Sequence, residues 1–268
     1  MKKGKKELNE VVKIIKYDGV KERVWSAKSC FWEWSAEEKQ LKYKYENDLY
    51  IPEIVTLFYD MSEKMNKIPT QNEYVDEYIR ITMIQLTKKD WYDPFRKDFF
   101  LDCIIWRADR SYKSNLVEIM TAGQLELKGY KVFRHLYIDY VLGVDLVAVK
   151  DDKCWYIHVT KDSKWARDKV FKKGTYRNYT VNGQKIVFQR DFKKHVQFLY
   201  DCESSDKNII NNGLPLFRHD YVLKKLDDEH ALSWSGNQLK KLVKEMKYKK
   251  AESGNFCFKS LDEKLVVA

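Results

Sequence analysis

The chain has 268 residues, 44% of them hydrophobic, with 10 glycines and 4 prolines; this excludes a disordered or repetitive composition and allows one large or two smaller cores. Lysine and arginine number 50 against 40 acidic residues, a net charge of +10, which favours a polyanionic partner such as nucleic acid because phosphate contacts release counterions; a basic protein with no such partner is the alternative. Five scattered cysteines without a CxxC pair argue against a disulfide framework or zinc ribbon, no stretch nears the roughly 20 apolar residues of a membrane span, and no apolar signal-type region follows the charged residues 1–6, so a cytoplasmic protein without membrane association is expected.

Residues 1–105 read as a mainly helical region. Ser35-Ala36-Glu37-Glu38 has the form of a capping box, preceded by Trp34, and opens a short charged helix running towards Glu46. Ile54, Leu57, Phe58, Met61 and Met65 recur at helical spacing. Pro69 closes the connection, and Thr70-Gln71-Asn72-Glu73 is a second capping box, whose helix places Val75, Ile79, Met83 and Leu86 on one face. Two helices joined through Asn66-Lys67-Ile68-Pro69 share the outline of a helix-turn-helix, an outline common to plain helical bundles. The cluster Phe31-Trp32-Glu33-Trp34 is either core or a stacking surface for bases.

From Ser111 the pattern changes, and residues 106–205 form the expected central domain. A helix over 114–128 should end at Gly129, which suits a left-handed C-terminal cap. Tyr130 begins a strand, residues 144–149 a second, and residues 154–160 a third, with a turn at Lys150-Asp151-Asp152-Lys153. A basic helix over 163–173 follows. Asn182-Gly183 signals a tight hairpin, residues 191–200 read as helical, and the extension over 206–268 is mixed, with a lysine-dense helix over 237–250.

Chemistry gathers around the 144–160 hairpin. With Asp151 and Asp152 as the two turn residues, Asp145 and His158 oppose each other on one face, their Cβ atoms about 4.5–5.5 Å apart. A slip of one residue would separate them. A carboxylate and an imidazole so placed can share a divalent metal, and Glu118, on the preceding helix, can reach the rim of the same site. Phosphodiester hydrolysis needs such a metal to polarise the phosphoryl oxygen and acidify the attacking water. Acidic oxygens are the ligands Mg²⁺ prefers.

The order of Glu118 on a helix, Gly129-Tyr130-Lys131-Val132, Gly143-Val144-Asp145-Leu146-Val147-Ala148-Val149 and Tyr156-Ile157-His158-Val159-Thr160-Lys161 resembles the PD-(D/E)XK nucleases, nearest in outline to Holliday-junction resolvases and related restriction-type endonucleases. The resemblance covers residues 111–162. It implies an α/β fold with a mixed central sheet flanked by helices (a restriction-endonuclease-like core) beside the N-terminal helical region. It also implies a Mg²⁺- or Mn²⁺-dependent nuclease acting on nucleic acid, DNA ahead of RNA. On this reading Asp145 and His158 bind metal, Glu118 holds a metal-bound water or a second ion, and Lys161 or Lys164 orients the water or stabilises the phosphate.

Two positions depart from the family pattern. His158 stands where the family has Asp or Glu, and it shifts preference towards softer ions such as Mn²⁺. Thr160 stands where the family has lysine, and Lys161 comes one position late. Lys164, Arg167, Lys169, Lys172, Lys173 and Arg177 either line a phosphate-contacting groove or form a solvated face. A homodimer or a larger nucleoprotein complex would suit such an enzyme. Thr160 supports the alternative of a non-catalytic nucleic-acid-binding module on a degenerate nuclease fold, and a subunit docking on a nucleic-acid machine is a third reading. His135, His195, His219 and His230 show no ligand spacing and receive no role.

Overall fold

The computed structural model describes residues 35–49, 51–134, 138–139, 143–181, 184–189, 194–211, 213–234, 247–250 and 256–259. The chain divides into two compact units, Tyr17–Asn115 and a second formed by Met1–Lys16 with Leu116–Ala268. The aromatic cluster at Phe31 and Trp34 lies outside the described residues.

The first unit is helical, as its capping signals imply. Ser35 caps α1 (Ala36–Asn47) through a complete capping box with Glu38. Helix α2 (Pro52–Met65) starts on a proline whose missing N–H is no loss there, and ends on Asn66 at φ 50. The Thr70–Glu73 box opens α3 (Gln71–Leu86). Its inner face is carried by Tyr74, Val75, Tyr78, Thr82 and Leu86, so tyrosines share the face expected from Val75, Ile79, Met83 and Leu86. The tyrosine hydroxyls make this burial affordable: Tyr112 donates to the Pro69 carbonyl at 2.8 Å, and Tyr74 bonds Ser111 at 3.0 Å. The rings of Phe58, Tyr74 and Tyr112 then meet with centroids 5.5–5.9 Å apart.

After a 3₁₀ turn at Pro94–Arg96, α4 (Lys97–Glu126) runs for 30 residues. The expected helix over 114–128 is therefore the second half of a longer one. Phe100, Ile104, Ala108 and Tyr112, all buried, extend the apolar face back through a stretch whose charges obscured it. At its C-terminus Gly129, φ +80, donates to Glu126 O at 2.9 Å and Tyr130 donates to Leu125 O at 3.1 Å, the two bonds of a Schellman cap. Lys150 Nζ donates to the Lys128 carbonyl at 3.1 Å, a cation at the negative end of the helix.

The second unit is built on a mixed sheet. Strands β1 (Lys131–Phe133), β2 (Leu146–Lys150) and β3 (Lys153–Lys161) form an antiparallel meander. Helix α5 (Lys164–Thr175) follows. A hairpin of β4 (Tyr176–Val181) and β5 (Gln184–Gln189) pairs as Asn182-Gly183 implies. The chain then returns as β6 (Val196–Tyr200), parallel to β3. Residues 191–200 were expected to be helical. Instead Val196 and Phe198 are buried and alternate with half-buried neighbours, and pairing against β3 supplies what local propensity did not.

Two further strands, β7 (Asn208–Asn211) and β8 (Leu214–Phe217), pair with each other. Helix α6 (His219–Lys225) and β9 (Leu232–Ser233) follow, and β9 adds to the start of β3. Lys247–Lys250 is a strand, β10, paired with β11 (Phe256–Lys259), where the end of a lysine-dense helix was expected; residues 237–246 of that helix are outside the described ones. Leu146, Val147 and Ala148 are all buried, so both faces of β2 are covered. One face packs Val147 and Cys154 with Phe133, Ile138 and Val144. No described helix is long and apolar enough to cross a membrane.

Candidate functional site

The β2–β3 turn forms as the sequence implies. Asp151 and Asp152 have φ 49 and 57, the left-handed pair of a two-residue type I′ turn. The register runs from Lys150↔Lys153 to Leu146↔Ile157 and ends one position short of Asp145 and His158. There the ladder changes character. The Asp145 N–H donates to Ile157 O at 2.9 Å, and Asp145 Oδ2 accepts the Val159 N–H at 2.7 Å. The carboxylate thus takes the main-chain donor that Val144 would face in a continued ladder.

His158 is 1% exposed, and its Nε2 lies 2.9 Å from Nδ1 of His195, itself 7% exposed. One of the two facing nitrogens donates and the other accepts. Tyr156, on the same face of β3 as His158, meets the His195 ring in a T-shaped contact with centroids 5.7 Å apart. His195, which the sequence reading left without a role, is therefore part of this site. No local spacing links it to His158; the two meet because β6 returns parallel to β3.

Glu118, half-buried on α4, lies 3.4 Å from the Arg134 guanidinium. Thr160 is half-buried, whereas Lys161 is exposed and still in register with Tyr200. The strand is regular to its end, so the Lys161 side chain leaves on the face opposite His158. Among the described residues one trio of potential ligands has its atoms within 4.8 Å of one another, and it is Asp227, Glu229 and His230. This trio follows α6 in an exposed turn, where Asp227 accepts from His230 at 2.7 Å. That bond holds the Asp227 carboxyl below its usual range. Glu118, Asp145 and His158 form no such trio. With Nε2 of His158 facing His195, this arrangement does not fit a metal bound by all three.

Beyond β3 the charges organise themselves. Asp162 accepts from Lys207 Nζ at 2.6 Å and pairs with Arg167, while Lys207 also reaches Asp201 at 3.2 Å. The Lys207 hydrogen bond, foremost, holds the Asp162 carboxyl below its ordinary range. This network ties the start of α5 to the loop after β6. On α5, Ala166 is buried and Val170 half-buried, and Lys164, Arg167 and Lys169 are exposed. Lys172 and Lys173 belong to the same helix, and Arg177 to β4. Trp165 is 67% exposed, with Lys169 Nζ 5.3 Å from its ring centroid. The sequence signal for Trp165 was available: it stands off the Ala166–Val170 face in a helix otherwise rich in cations.

Helix α3 exposes Asn72, Asp76, Arg80 and Ile84, and Arg80 is held in a two-bond fork by Glu77, both bonds 2.7 Å. Compared with profiles of known families, characterised proteins and solved structures, the chain has no match.

Proposed function

We propose that this chain binds nucleic acid through a nuclease-type core. The observation that carries the reading is the outer surface of α5, where Lys164 and Lys169 are exposed on the helix that leaves the end of β3. Cations so placed contact phosphates without reading sequence. The net charge of +10 supplies the long-range attraction. The coarse class of the second unit, helices and a mixed sheet, supports the reading, and a restriction-endonuclease-like core is part of the proposal.

Divalent-metal-dependent phosphodiester hydrolysis, on DNA ahead of RNA and with Mg²⁺ or Mn²⁺, is the second reading. One observation favours it: Asp145, a half-buried carboxylate just past the end of the β2–β3 ladder, accepts the N–H of Val159, the residue next to His158. An otherwise apolar strand has no structural need of a carboxylate there, since a main-chain carbonyl could accept the Val159 N–H. Thr160 at the position of the family lysine weighs for binding without cleavage.

One experiment separates the two. Labelled linear DNA, branched DNA, single strands and RNA are titrated with the protein in EDTA across a salt series, then incubated with Mg²⁺ or Mn²⁺. Binding that survives EDTA and weakens linearly with log salt is expected. The absence of binding to every substrate at low salt would sink the reading. Metal-dependent cutting by the wild type that Asp145→Asn abolishes would establish the enzyme. Asn retains an acceptor for the Val159 N–H, so its effect reports charge rather than folding.

A further inference from the structure

We infer that Trp165 is a stacking platform for an unpaired base, and that the nucleic acid held on α5 is single-stranded; this inference rests on the binding reading above. Trp165 sits in the first turn of α5, beside the buried Ala166, with 67% of its surface in solvent. Lys169 follows at i+4 and Lys172 at i+7, one row along the helix by its 3.6-residue period. Lys164 precedes it. The segment Lys164–Thr175 carries five cations against the single anion Asp168.

An indole inside a cationic row is what a single strand requires. Bases present flat faces only when unpaired, and an aromatic ring offers each of them the same contact whatever its identity. The neighbouring ammonium groups then meet the backbone phosphates. Lys169 already lies against the ring, so the indole is held with a cation beside it and little side-chain freedom remains to be lost on stacking. A duplex buries its base faces and would engage the lysines without the tryptophan. Arg167 is committed to Asp162, so Lys169 on this row and Lys164 one residue before the indole are the phosphate contacts.

The test compares wild type, Trp165→Ala, Trp165→Phe and the double variant Lys164→Gln/Lys169→Gln, each checked for folding by circular dichroism. They are titrated by anisotropy against a labelled 15-nucleotide oligo-dT and a 15-base-pair duplex. Trp165→Ala is expected to weaken single-strand binding about tenfold and leave duplex binding within about twofold, with Trp165→Phe recovering most of the loss. The double variant should weaken both and flatten the salt slope on the single strand by ~0.7 for each contact removed.

Unchanged single-strand affinity in Trp165→Ala, with the double variant still impaired, would overturn the stacking role and leave the binding reading standing. No binding by the wild type to either substrate would overturn both. Loss in Trp165→Ala of self-association, or of binding to anionic vesicles, with oligonucleotide affinity intact would assign the indole to a protein or lipid surface and overturn the inference.

Discussion

His158 and His195 face each other through ring nitrogens that solvent does not reach. Removing one ring takes a hydrogen-bond partner from the other. His195→Ala is expected to destabilise the protein by about 1–3 kcal/mol, because a buried nitrogen loses its partner, and urea unfolding measures it. The same variant removes the His195 nitrogen from beside Nε2 of His158. If hydrolysis occurs at this site, His195→Ala should alter the preference between Mg²⁺ and Mn²⁺; on a binding-only core it would change stability alone. At this scale the sequence was legible in the two-residue turn at Asp151 and Asp152, which sets the register as far as Leu146 and Ile157. It was silent about His195, Lys207 and Arg134, because each meets its partner through tertiary pairing that no short spacing encodes.

Among the elements, the sharpest signals were chemical. Capping boxes at Ser35 and Thr70, a glycine after α4 and adjacent aspartates at the β2–β3 turn all form as their residue types require. Elements whose stability comes from elsewhere were harder to read. Strand β6 is a strand because β3 lies beside it, and the first half of α4 hides its apolar face among charges. Gly129 offers a direct test. A Cβ there would meet only Lys150 Nζ, at 4.0 Å, so no steric clash arises and Gly129→Ala measures the backbone alone. It should cost about 1 kcal/mol by thermal or urea unfolding, the price of an L-residue at φ +80. Gly129→Asn should cost less, since asparagine tolerates the left-handed region better.

Acid acts on the whole molecule. Hydrogen bonds from the Thr70 N–H, then from Lys67 and the Thr70 hydroxyl, lower the Glu73 carboxyl from 4.5 to about 2. Asp162 and Glu77 are lowered by Lys207 and Arg80 in turn. A depressed carboxyl pKa means stability that is fully present above the unfolded value and lost as pH falls through the folded one. The melting temperature should therefore hold above pH 4.5 and fall progressively towards pH 2. Low salt should steepen the fall, because protonating carboxylates on a chain of net charge +10 adds to its self-repulsion. Calorimetry across that range checks the slope, and a carbon-13 titration should find Glu73 still ionised near pH 3. A melting temperature flat from pH 5 to pH 2 would contradict this account. At this scale charge was the most readable property of the sequence, and the change of pattern from Ser111 lies close to the division after Asn115, which falls within an unbroken helix.

Among the described residues the sheet order places β1 at one margin, and β1 is three residues long and opens on the exposed Lys131. An outer strand offers unsatisfied amides to any extended chain that drifts alongside, and a long apolar one would seed fibrils. This margin is too short to template a neighbour, and two like ammonium groups would repel across any such pairing. The same brevity leaves the rim a poor landing place for an extended peptide, so recruitment by strand addition there is disfavoured.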